Sequence, residues 1–183
     1  MSSFEIKQNK ELDCSFVKFS NLNLKLESGS ILKNFRLAFK TFGTLNQSKT
    51  NAILICHALT GDQYVSGQNP ITGRDGWWSR MVGPNKPIDT NKFFIICSNV
   101  LGGCAGSTGP KEESSKKEEF YGRKFPTITI KDMVKVQSYL IEALEIKKLF
   151  AVAGGSMGAM QVLQWTIDYP DKLTNAIHIA GAL

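Results

Sequence analysis

Four cysteines in 183 residues, Cys14, Cys56, Cys97 and Cys104, show no C-x-x-C spacing. That lack reads as reduced thiols holding no metal. Cys56 and Cys97 lie inside apolar runs, where a thiol behaves as a small hydrophobe. No run approaches the roughly 18 apolar residues of a membrane span, and the first ten residues lack the apolar core of a signal peptide. A cytoplasmic protein with no membrane partner is the expectation. Charge of one sign is also scarce: 22 Lys+Arg against 16 Asp+Glu leaves +6, with the cations scattered through Lys7, Lys33, Lys40, Lys86, Lys117, Lys135 and Lys148. No basic stripe for nucleic acid is present, although the excess suits an anionic small molecule as well as solubility. There is no internal repeat and no interdomain linker.

What is present is enough apolar material, 42% of the chain, for one core. Leu22, Leu24 and Leu26, then Phe35, Leu37 and Phe39, alternate with polar residues on either side of Glu27-Ser28-Gly29-Ser30. Period two of this kind predicts half-buried antiparallel strands over about residues 15–43. Further on, unbroken apolar runs at 52–56, 93–97, 149–153 and 176–180 predict strands buried on both faces, the signature of a parallel sheet under helices. Met133, Val136, Leu140, Ala143 and Leu144 recur at helical spacing over 131–146, with Thr129 and Asp132 as a capping box. Residues 157–169 are apolar nearly all round, which predicts a buried central helix stopped by Pro170. Asp168 and Asp171 flank that proline as termination chemistry. Residues 57–92 and 98–126 are long connections, and long connections in a compact domain are disproportionately functional. Within the second, residues 111–119 read as a solvated, mobile loop.

The strongest chemical signal is Gly154-Gly155-Ser156-Met157-Gly158, which follows one buried strand and opens the buried helix. A serine at such a strand-to-helix elbow is a candidate nucleophile: glycines admit the tight bend, and the helix N-terminus aims amides at a developing oxyanion. The strand at 52–56 opens into His57-Ala58-Leu59-Thr60-Gly61, where the second oxyanion donor belongs. Ser156 is therefore the catalytic candidate, with the backbone N–H groups of Leu59 and Met157 as oxyanion donors. His57 precedes the nucleophile, contrary to the Ser, acid, His order of this arrangement, so it reads as a loop-shaping residue. His178 falls inside a strand and reads as structural. The glycine-rich segment from Gly102 to Pro110 lacks the G-K-[ST] ending of a phosphate loop and reads as a rigid wall beside the site. No residue is assigned to bind a cofactor or metal.

Taken together, His57-Ala58-Leu59-Thr60-Gly61, Gly76-Trp77-Trp78, Val82-Gly83-Pro84, Ile88-Asp89-Thr90, Cys97-Ser98-Asn99-Val100-Leu101-Gly102-Gly103-Cys104, Gly106-Ser107-Thr108-Gly109-Pro110, Phe125-Pro126 with Asp132-Met133-Val134, and the serine motif with Met160-Gln161 resemble the homoserine O-acetyltransferase family. The resemblance covers the chain from about Leu26 onward. It implies an α/β-hydrolase fold: a mostly parallel sheet with helices on both faces and an antiparallel N-terminal edge, in one domain over residues 1–183. It also implies transfer of an acetyl group from the substrate acetyl-CoA to L-homoserine, on the route to methionine, through an acyl-serine. The family's acid and histidine, its lid and its last strands match nothing in these residues, so the resemblance implies an N-terminal portion, inactive alone. A homodimer is the assembly to expect of the full-length protein. Succinyl-CoA as donor, serine as acceptor, a plain esterase, and a non-catalytic module remain the alternatives.

Overall fold

The computed structural model describes residues 3–112 and 120–182. Seven of its nine strands form one sheet: β1 (Ser3–Asn9), β2 (Cys14–Lys25), β3 (Ile31–Phe42), β4 (Ala52–Cys56), β7 (Phe94–Ser98), β8 (Leu149–Gly155) and β9 (Leu173–Ile179). Their spatial order is β1-β2-β3-β7-β4-β8-β9. The alternating segments give an antiparallel edge, β1-β2-β3, joined antiparallel to β7. From β7 onward the pairs β7-β4, β4-β8 and β8-β9 are parallel. The short strands β5 (Val82–Gly83) and β6 (Ile88–Asp89) pair separately. β1 was not legible in its polar sequence; it pairs with β2 along its whole length, from Ser3↔Ser20 to Asn9↔Cys14.

Helix α1 (Ile130–Ala143) begins with the capping box, Asp132 accepting from the Thr129 amide and Thr129 Oγ1 from the Asp132 amide. Asp132 also accepts from the Glu27 amide at 2.9 Å, so the cap ties the helix to the turn after β2. Helix α2 (Met157–Asp168) packs beside it, and Val134, Val136, Leu140, Val162 and Trp165 share one core with Leu54, Ile96 and Val152 of the sheet. Both helices thus cover the same face. Among the described residues the opposite face, Ile53, Ile55, Ile95, Cys97, Ala151 and Ala153, is covered by Val65 and Val82 of the long connection, not by a helix.

Two expectations of burial change. β4, β7 and β8 are buried as the apolar runs predict, save for Phe150, which is 40% exposed; β9 is exposed from Thr174 to Ile179, because among the described residues it pairs only with β8 and lies at the end of the strand order. Helix α2 buries Gly158, Ala159, Gln161, Val162 and Trp165 while Ile167 stays 63% exposed, so only one side of this apolar helix is covered. Most of the predicted loop at 111–119 lies outside the described residues.

Candidate active site

Parallel strands deliver the loops at their carboxyl ends to one edge of a sheet, and ligand sites of open α/β folds form there. Here the register Cys56↔Gly154 and Ile55↔Cys97 brings three such loops together: residues 57–61 after β4, 99–110 after β7, and the turn at Ser156 after β8. Ser156 is exposed at that edge, with φ +56° and ψ −124°. A non-glycine residue in that conformation stores on the order of 1–3 kcal/mol and persists only where its surroundings fix it. The Ser156 amide donates to Ile179 O at 3.1 Å, and its carbonyl accepts from the Ala159 and Met160 amides at 2.9 and 3.2 Å. The bend is held from both sides.

Two of the motif glycines are required by space. A Cβ on Gly158 would be driven into the Cys56 carbonyl oxygen, and one on Gly154 would stand 2.6 Å from Gly158 O and 2.8 Å from Cys56 O. Because both positions are bare, the first turn of α2 lies directly on the end of β4, beside the 57–61 loop. Leu59 and Met157 line one apolar groove of about 510 Å³ with Val100, Leu101, Phe125 and Met133. Neither the Leu59 nor the Met157 amide has a hydrogen-bond partner among the described residues. Met157 is the first helical residue, whose N–H has no partner within its helix.

His57 is 1% exposed, and both of its ring nitrogens are engaged. Nε2 lies 3.1 Å from the Val100 amide, which can only donate; Nδ1 therefore carries the proton and donates to Ala58 O at 2.7 Å. Burial lowers its pKa, favouring the neutral ring that this tautomer needs. The Ala58 carbonyl and the Leu59 N–H belong to one peptide plane, so the imidazole fixes the direction of the Leu59 amide. The loop-shaping reading of His57 thus has a specific form. His178 lies on β9 in register with Gly154, and its ring sits near Ala159 and the Gly181 backbone.

The wall from Gly102 to Pro110 is zipped onto β3. Arg36 donates through its amide to Thr108 Oγ1 and through Nε to Gly106 O, and the Asn99 amide donates to Ala38 O. Gln63 Nε2 ties the wall to the first long connection through Ala105 O. Gly106 leaves room for Phe16, whose ring would be 2.7 Å from a Cβ there. All four cysteines are free thiols; Cys14, Cys56 and Cys97 are buried and Cys104 is exposed at the groove. Arg36 and Gln137 were missed by sequence reasoning, and Gln161 entered it only as part of the resembling motif, with no role assigned. For Gln137 a signal existed, a polar amide whose helical neighbours Met133, Val134, Leu140 and Ile141 are all apolar.

A parallel sheet, a serine held at positive φ between strand and helix, and free amides at the neighbouring loop define an α/β hydrolase with a nucleophile elbow. The chain belongs to the alpha/beta hydrolase fold family, whose sequence profile matches residues 51–183. It is 53% identical over 163 residues to the homoserine O-acetyltransferase of Caulobacter vibrioides, covering 89% of this chain and 43% of that protein. Among solved structures it is similar to esterase E22, with TM-score 0.84 and 34% identity over 92% of this chain and 48% of the other. It is likewise similar to the homoserine O-acetyltransferase of Bacillus anthracis, with TM-score 0.80 and 32% identity over 92% of this chain and 46% of that one. The chain therefore spans under half the length of the relatives it matches. Among the described residues no helix is long and apolar enough to cross a membrane.

Proposed function

We propose that the whole protein is an acyltransferase that moves the acetyl group of acetyl-CoA onto the side-chain hydroxyl of L-homoserine, a cytoplasmic step toward methionine. The observation that carries this reading is the exposed Ser156 held at φ +56° beside two amides without partners, in a chain 53% identical to a homoserine O-acetyltransferase. Ser156 Oγ attacks the thioester carbonyl carbon while a general base takes its proton, and the Leu59 and Met157 amides receive the oxyanion. The C–S bond then breaks, and CoA leaves with a proton. In the second half-reaction the homoserine hydroxyl attacks the acetyl-serine ester and restores Ser156, a ping-pong sequence. His57 is not the base, because its Nε2 lone pair is committed to the Val100 amide.

Acetyl-ester hydrolysis is a second reading, favoured by the likeness to esterase E22. CoA release by the purified whole protein, followed with a thiol reagent, separates the two. A transferase accelerates sharply when homoserine is added, and Ser156→Ala lowers the rate at least about a thousand-fold. Equal rates with and without homoserine would favour the esterase.

A further inference from the structure

Four buried side chains run from α1 to the elbow without contributing an atom to the groove. Gln161 Nε2 donates to the carbonyl oxygens of His57 and Met157, each at 3.2 Å. Its Oε1 accepts from Gln137 Nε2 at 2.7 Å. Gln137 Oε1 in turn accepts from Trp165 Nε1 at 2.9 Å and faces the Cys56 thiol at 3.9 Å. Gln137, Gln161, Trp165 and Cys56 are all fully buried.

The order of donors and acceptors leaves one orientation. An indole N–H can only donate, so Gln137 must turn its oxygen to Trp165 and its NH2 to Gln161. Gln161 must then offer its oxygen to Gln137, which leaves both of its N–H groups for the two carbonyls. The indole N–H at one end and the two carbonyls at the other thus require the same direction of the relay.

The two carbonyls at its far end belong to the two segments that carry the candidate oxyanion donors. His57 begins the loop carrying the Leu59 amide, and Met157 carries the other candidate oxyanion donor. One amide group spans both segments, at the place where bare Gly158 lets them touch. We propose that Gln161, its NH2 turned to the two carbonyls because these can only accept, is a positioning residue that sets the separation of the two oxyanion amides in the reaction proposed above, on which this inference rests. His57 fixes the direction of the Leu59 N–H; Gln161 fixes how far its loop stands from the elbow helix.

The test compares variants of the whole protein, assayed for CoA release from acetyl-CoA with homoserine and for thermal unfolding. Gln161→Met keeps the length of the side chain and removes both donors. Its kcat falls roughly 10- to 100-fold, approaching the loss of one oxyanion donor, with KM for homoserine within about twofold. Gln137→Met strands more groups, Trp165 Nε1, Gln161 Oε1 and the Cys56 thiol, and so costs more stability. It leaves Gln161 on its two carbonyls and lowers kcat by less than about threefold. A merely structural role predicts the reverse ranking, with activity following stability. Gln161→Glu accepts from Gln137 as before but can donate to a carbonyl only when protonated, so its kcat declines as pH rises, along a limb the parent lacks. The proposal is overturned if Gln161→Met keeps kcat within about threefold of the parent. It is also overturned if Gln137→Met loses as much as Gln161→Met, or if the Glu variant follows the parent's pH profile. A parent that releases no CoA refutes the functional reading itself, and this proposal with it.

Discussion

Replacing Gly158 by alanine sets two effects of opposite sign against each other. Inside a helix, Gly→Ala ordinarily stabilises by roughly 0.5–1 kcal/mol, because alanine loses less backbone freedom on folding. At Gly158, however, the new methyl would overlap the Cys56 carbonyl oxygen and stand 2.9 Å from its carbonyl carbon and 3.2 Å from His57 O. All three atoms are backbone, so relief requires moving β4 or the first turn of α2. Overpacking of this kind costs about 1–3 kcal/mol, and the rigid partners place it at the upper end, outweighing the propensity gain. A net loss of about 2 kcal/mol lowers Tm by roughly 4–8 °C in a domain of about 150–250 residues, and by less in a longer one. Gly155→Ala is the matched control in the same motif, since the nearest atom to its Cβ is Ile179 O at 3.7 Å. That change should stay within about 0.5 kcal/mol of the parent. Thermal unfolding of the two variants, with the rate of CoA release beside it, reads both effects. If Gly158→Ala melts at or above the parent temperature and keeps its rate, the close approach of α2 to β4 is wrong, and the account of the site built on it fails.

Two further predictions follow from burial. His57 has its pKa lowered in the folded protein, so between the unfolded value near 6.5 and the lower folded value the unfolded chain binds more protons. Its contribution is complete above about pH 6.5 and declines as pH falls, so stability against urea should drop from pH 7.5 to 5.5. His57→Asn should flatten that slope; an unchanged slope would place the titration elsewhere. Burial raises the thiols of Cys14 and Cys97 and pushes Cys56 up to about 12, whereas Cys104 is exposed. Of these four, a thiol reagent should therefore modify Cys104 quickly in the native protein and the other three only in denaturant, and labelling of Cys56 as fast as Cys104 would contradict the packing at the end of β4.

The elements that were legible are those whose signal is local. Period two marked β2 and β3, unbroken apolar runs marked β4, β7 and β8, and the Thr129–Asp132 pair marked the start of α1. The elbow was readable because a bend of that sharpness between strand and helix demands particular residues at fixed spacing. β1 was not legible, since a polar edge strand is specified by the partner it pairs with and not by its own pattern. The apolar sides of α2 and β9 misled, because hydrophobicity records what a surface can bury and not what lies against it in these residues.

The sequence by itself determined the candidate nucleophile and the two loops that serve it, because backbone strain, capping and strand burial are written residue by residue. Only the tertiary structure decided what holds those loops in place: the tautomer of His57, the zipping of the glycine-rich wall onto β3, and the relay from Trp165 through Gln137 to Gln161. These contacts join residues that are dozens of positions apart. The direction of a hydrogen bond depends on which donor and which acceptor meet, and that meeting is settled by strand order and register.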